Sequence, residues 1–291
     1  VHVGNHYVYN IDLKDFFPSI DQARVWGRLR NAPFNLNESQ KRSELANIIA
    51  SLCCHEMEVE RLDDSGSFVK VVKSVLPQGA PTSPTMSNII CERLDIRLAG
   101  VAKRFGLKYS RYADDITFSS MHNVYQKESD FLKEVERIIK DQKFNIKEAK
   151  TRLQKQGYRQ EVTGLVVNEK TNVNKRYISQ VRMWIYYWEQ YGYEKATSFF
   201  APKYSTDKGH TKQGKPSLEN VLAGKLEYLK MVKGEKSSTY INLNERFKRL
   251  SSEKNPLNEV LSIWEKQGIE KAMEFYYSNA TDMVQINTFT I

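Results

Sequence analysis

Three aspartates set the terms for this chain. Asp12 stands near the end of the run HYVYNIDL, in which β-branched and aromatic residues alternate with polar ones as they do along a strand. Asp114 and Asp115 stand inside LKYSRYADDITFS, which reads as two short strands meeting at a turn. An Asp pair in a turn is most often a solvated turn former. Here, however, Tyr112 and Ala113 precede the pair and Ile116 and Phe118 follow it. Carboxylates beside apolar strands are costly unless a positive charge joins them. Mg²⁺ meets that need, since it takes carboxylate oxygens together with substrate phosphates and water. Three carboxylates from two strands can hold two Mg²⁺ ions about 4 Å apart, the arrangement used for in-line phosphoryl displacement.

The surrounding pattern is mixed. A helix is expected from Asp21 to Pro33, with Val25, Trp26 and Leu29 on one face, and a second over 38–54, where Leu45, Ile48, Ile49 and Leu52 recur at helical spacing. Residues 56–62 and 67–75 flank LDDSG as a hairpin. Helices follow at about 85–104, with Ile89, Leu94 and Leu98 as core candidates, and at 126–142; strands follow near 143–147 and 162–167. The rest reads as helices over 177–200, 216–233 and 256–279. This is an α+β domain followed by an α domain. No run approaches the ~20 apolar residues of a membrane span. Cys53, Cys54 and Cys91 lack metal-ligand spacing and read as buried thiols, so a reducing, cytoplasmic compartment is expected. The first residues already read as a strand with no initiator Met, and the chain is expected to begin inside a larger protein.

The net charge of +9 is uneven: residues 141–190 carry +5, 201–254 carry +6, and 255–291 carry −3. A basic second half with many Tyr and Trp points toward a polyanion, with nucleic acid as the natural class.

Three segments in order, NIDLKDFFPSI, LPQGAPTSP and YADD, resemble motifs A, B and C of reverse transcriptases in spelling and separation. The resemblance implies a right-hand polymerase palm over 1–20 and 76–168, a fingers-side insertion over 21–75 with only partial fingers, and an α-helical thumb and RNA-binding region over 169–291. It makes Asp12, Asp114 and Asp115 the catalytic, metal-binding triad for two Mg²⁺ ions, with the Leu13 carbonyl as a further ligand. Asp15 falls near the triphosphate of the incoming dNTP, and Phe17 under its sugar, where a 2′-hydroxyl would overpack the ring. Gln78 and Gly79 lie in a turn stiffened by Pro77, Pro81 and Pro84, with the Gln on the nucleotide. Lys150 matches a motif D lysine near the triphosphate.

Val162-Thr163-Gly164 resembles the signature of retron enzymes, and His2 stands at the interval before Asp12 at which those enzymes place a His. Carried over, His2, Val162, Thr163 and Gly164 become contacts to nucleic acid. Trp184, Tyr187, Trp188 and Tyr191 share a helix face, which either packs a thumb core or, with Arg176 and Arg182, lies along the primer–template or RNA stem; the second reading adds those two cations to the contacts. The retron resemblance implies a bacterial enzyme that copies its own structured noncoding RNA from an internal guanosine 2′-hydroxyl. The product is RNA-linked branched DNA (msDNA), made in antiphage defence beside an effector protein. Two other readings fit the same residues. One is another defence-associated or group II intron-like reverse transcriptase; the other is a non-catalytic RNA-binding scaffold.

Overall fold

The protein is described by a computed structural model covering residues 1–62, 67–208, 217–253, 260, 263–265 and 267–278. Two compact units divide it, Val1–Thr171 and Asn172–Ile291.

The first unit is built on an antiparallel sheet. Strand β1 (Tyr7–Lys14) pairs along one edge with β5 (Asp115–Ser120), which pairs in turn with β4 (Lys108–Tyr112). The other edge of β1 is shared by β6 (Asn145–Ile146) beside Leu13–Lys14 and β7 (Arg152–Lys155) beside Tyr7–Asn10. Strand alternation sorts β1 into two faces. Tyr7, Tyr9, Ile11 and Leu13 join the core formed with helices α3 (Ser83–Arg104) and α4 (Asp130–Asp141), where Leu94, Leu98, Phe131 and Ile139 are fully buried. Val8, Asn10 and Asp12 belong to the opposite face, and Val8 packs there with Val162 and Val167.

Between β1 and α3 lie α1 (Gln22–Arg30), α2 (Gln40–Cys53) and a hairpin of β2 (His55–Leu62) with β3 (Phe68–Val75). The tip of this hairpin, 63–66, lies outside the described residues. The α2 face differs from the expected one. Ala46, Ala50 and Cys53 are buried, while Leu45, Ile48 and Leu52 are 46%, 55% and 80% exposed. Small side chains let α2 lie close against its neighbours, and of the large apolar residues at helical spacing Ile49 packs, half-buried, against the core. In α3 the core residue is Ile90, with Ile89 only half-buried.

Strand 162–167 is in fact a small hairpin, β8 (Glu161–Val162) and β9 (Leu165–Val166). Its two-residue loop has Thr163 at φ 47° and Gly164 at φ 82°, the positive pair that matches strand twist in a tight hairpin.

The second unit is helical: α5 (Lys175–Lys208), α6 (Leu218–Lys233), α7 (Ser238–Glu253) and a helix over Ile269–Ser278. The expected helix over 177–200 is broken at Gly192, whose φ of 76° and ψ of 167° only glycine adopts readily. Helix α7 is an addition to the helices that periodicity predicts, and much of the helix expected over 256–279 lies outside the described residues. Trp184 and Trp188 are buried with Phe200, Leu222, Leu226 and Leu243. Trp184 meets Phe200 edge-on with centroids 5.1 Å apart. These two indoles therefore pack the unit's core and do not offer stacking surfaces; Tyr191, 52% exposed, does remain on the outside.

Candidate active site

Register brings two of the three aspartates face to face. Asp12 pairs directly with Asp115 across β1 and β5, one step beyond Ile11 with Ile116. The alternation that sends both isoleucines into the core sends both carboxylates to the opposite face. Like charges directly opposite on neighbouring strands repel. Asp114 occupies the two-residue turn after Tyr112, and its carbonyl accepts the Leu13 N–H at 3.0 Å. Leu13 itself is buried, so its backbone is held beside Asp114 from below.

Cations and amides gather around the pair. Beyond β6, a 3₁₀ turn (Glu148–Lys150) returns Lys150 over β1, where its Nζ lies 3.2 Å from Asp12 Oδ2. Asn10, Asp12, Asp115, Ala149, Lys150 and Arg152 line one cleft. Burial raises the pKa of Asp115 above the ordinary aspartate value, and the charges of Asp114 and Asp12 add to this. A hydrogen bond from Asn10 and the charge of Arg152 oppose it. Asn10 is buried and also donates to Thr117 Oγ1 at 3.0 Å, while its Oδ1 accepts from Gln154.

Among the described residues, no group of three or more His, Cys, Asp or Glu closes on a common point as a metal cage. The donor set still suits magnesium. Two facing carboxylates, whose mutual repulsion a divalent cation would relieve, leave room for the waters and substrate phosphates with which that ion completes its shell.

The other motif residues take up defined places. Asp15 is exposed at φ 46°, and its carbonyl accepts from Ser19 N at 2.8 Å. Phe17 is half-buried against Phe16, centroids 5.1 Å apart, with Phe16 in the core. Leu76 N donates to Ile20 O at 3.1 Å, which seats the start of the Pro-rich loop against the end of the Asp15–Ile20 segment. Gln78 and Gly79 follow in that loop, Gly79 exposed at φ 91°.

Two of the residues expected to contact nucleic acid are buried. His2 is 5% exposed, and its ring nitrogens bond Ser119 Oγ and Ser110 Oγ, each at 2.7 Å. Burial holds its pKa down to about 4, and the ring bridges β4 and β5. Val162 is likewise buried, in the small cluster with Val8. Only Thr163 and Gly164 of that triplet reach solvent. Arg176 and Arg182 are exposed on α5 in the second unit.

Several residues at the site escape a reading of the sequence. Asn10 carries a signal in its period-two relation to Asp12. Arg111 and Asp95, whose ion pair lies behind the Asp114 turn, carry none beyond Arg111's adjacency to YADD.

Comparison with known proteins agrees with this geometry. Residues 2–177 match the model of the family described as reverse transcriptase (RNA-dependent DNA polymerase). The retron Mx162 reverse transcriptase of Myxococcus xanthus is 39% identical over 177 residues, which cover 57% of this chain and 35% of that protein. The retron Mx65 enzyme of the same organism is 37% identical over 174 residues, 57% of this chain and 37% of its own length. The retron Ec86 reverse transcriptase of Escherichia coli is 34% identical over 189 residues, 64% of this chain and 50% of that protein. Each match thus spans half or less of the relative's length. With more than half its residues matched and a polymerase palm in place, the chain belongs to the reverse transcriptase family, and its similarity within that family is to the retron-type members.

Proposed function

We propose that this chain is the RNA-directed DNA polymerase of a retron, copying its own structured noncoding RNA into RNA-linked branched DNA (msDNA). The observation that carries this reading is the pairing of Asp12 with Asp115 across β1 and β5, with Asp114 in the adjoining turn and Lys150 on Asp12. The palm is taken as 1–20 and 76–168, the fingers-side segment as 21–75, and the thumb and RNA-binding region as 169–291.

In this reading Asp12, Asp114, Asp115 and the Leu13 carbonyl hold two Mg²⁺ ions. When bound, magnesium favours the ionised primer hydroxyl and offsets charge on the triphosphate and departing pyrophosphate. The chain's own residues do the rest. Asn10 favours the ionised form of the Asp115 carboxylate and orients it. Lys150, already beside Asp12, supplies a positive charge to the triphosphate, and Asp15 lies near the same triphosphate. Phe17 sets its ring where a ribonucleotide's 2′-hydroxyl would collide, while Gln78 and the open backbone at Gly79 receive the dNTP. Thr163 and Gly164 at the hairpin tip contact the cognate RNA, and Arg176 and Arg182 meet phosphates. Cytoplasmic action in antiphage defence beside an effector protein completes the proposal.

Incorporation of dNTPs on an RNA template with Mg²⁺, together with sequencing of the nucleic acid that copurifies, tests this reading. Branched RNA-linked DNA is the expected product. Absence of any incorporation would return the chain to the class of RNA-binding scaffolds.

A further inference from the structure

Arg111 lies on β4 one residue before Tyr112, and its side chain is only 5% exposed. Its donors are spoken for. Nε and Nη2 form a two-pronged bond with Asp95 Oδ1 and Oδ2, each at 2.7 Å, and Nη2 also reaches Asn88 Oδ1 at 3.2 Å. Nη1 donates to the Ala113 carbonyl at 3.0 Å. The Tyr109 hydroxyl donates to Asp95 Oδ1 at 2.7 Å, which fixes the carboxylate from a second side.

Asp95 and Asn88 both belong to α3, the helix that begins at Ser83 where the Pro77–Thr82 loop ends. Ser83 Oγ donates to Pro77 O at 2.6 Å. One guanidinium therefore ties the turn bearing Asp114 to the helix that carries the Gln78–Gly79 loop at its head. The turn needs such a tie. Ala113 sits at φ 50°, a conformation that L residues other than Asn and Asp rarely keep without support. Two consecutive carbonyls hold it there, Ala113 O on Arg111 and Asp114 O on Leu13 N.

We propose that Arg111, locked by Asp95, is a positioning residue that holds Ala113 in its left-handed conformation and so sets how Asp114 enters the active site. This rests on the polymerase reading for its effect on catalysis, while the clamp itself can be tested without it. A lysine does not substitute, because an ammonium lacks the planar fork that engages a carboxylate and a carbonyl together.

Arg111→Ala alone would strand the Asp95 carboxylate and destabilise the fold. The informative variant is Arg111→Met/Asp95→Leu/Tyr109→Phe, which removes the clamp and the hydroxyl it would orphan while keeping apolar volume. The expected result is a melting temperature near wild type with kcat for dNTP incorporation reduced at least about tenfold, since small misplacements at a reacting centre are costly. The KM for dNTP should stay within about twofold, because Gln78 and Gly79 are untouched. Hydrogen exchange at the Leu13 amide, which reports on the Asp114 carbonyl, should quicken by about tenfold or more. Arg111→Lys gives a second arm that keeps the charge, and it should show the same loss of kcat. Wild-type kcat and Leu13 exchange in either folded variant would overturn the proposal. If the wild-type protein incorporated no dNTP, the polymerase reading would fail, and Leu13 exchange would still decide whether the clamp holds the turn.

Discussion

Asp12 and Asp115 face each other on adjacent antiparallel strands with Lys150 Nζ 3.2 Å from Asp12, so a pair of like charges meets a cation of the protein's own. Burial and the two neighbouring aspartates raise the pKa of Asp115 above the unfolded value. Its contribution to stability is then complete below the ordinary aspartate range and is lost as pH rises through the raised value. Without divalent cation, Asp115→Asn should melt at a higher temperature than wild type at pH 7, and the gap should close as pH is lowered through that range. Adding Mg²⁺ should raise the wild-type melting temperature more than that of the variant. Thermal melts with and without EDTA check this, and a variant less stable than wild type at pH 7 would refute it.

Phe17 is half-buried against Phe16, which leaves part of its ring available to a nucleotide sugar. Phe17→Val should raise kcat/KM for rNTPs relative to dNTPs by about fivefold or more, the clash removed being worth ~1–3 kcal/mol. Parallel steady-state measurements with both nucleotide classes decide it. An unchanged ratio would make Phe17 a packing residue like its neighbour.

Thr163 is a β-branched residue held at φ 47°, with its hydroxyl turned back onto the Val162 carbonyl at 2.8 Å. Thr163→Asn suits that conformation better and should leave stability equal or higher, by up to about 1 kcal/mol. If the tip reads RNA, the same change should reduce preference for the cognate RNA over an unrelated duplex. Competition binding measures the preference, and an unaltered one would leave Thr163 as a turn residue only.

Arg176 and Arg182 are exposed cations on α5. Neutralising both should flatten the dependence of log K for RNA on log salt concentration by about one unit for each phosphate no longer engaged. A titration across a salt series reads the slope directly. No change would place the RNA elsewhere.

The site is legible where strand alternation and motif spelling coincide. Asp12 and Asp115 share a face because Ile11 and Ile116 share the other, and period two is visible in NID and DIT. The burial of His2 is not legible, because a histidine's spacing says nothing about burial; two serines 108 and 117 residues away satisfy its ring. Trp184 and Trp188 are ambiguous because a helical stripe of aromatics looks the same whether it packs a core or faces nucleic acid, and the partners that bury them, such as Leu222 and Leu243, are distant in sequence. Gly192 and the Thr163–Gly164 turn divide elements that periodicity alone joins. Arg111 and Asp95 are invisible for a related reason, their meeting being a property of α3 against β4.

The aspartate assignment is tested most directly by RNA-templated dNTP incorporation in Asp12→Asn and Asp114→Asn, with RNA affinity measured on the same samples. Synthesis should disappear while RNA binding stays close to wild type, because the carboxylates serve metal and phosphate contacts elsewhere carry affinity. Residual synthesis above about a tenth of wild type, a barrier increase below ~1.4 kcal/mol, would contradict the triad.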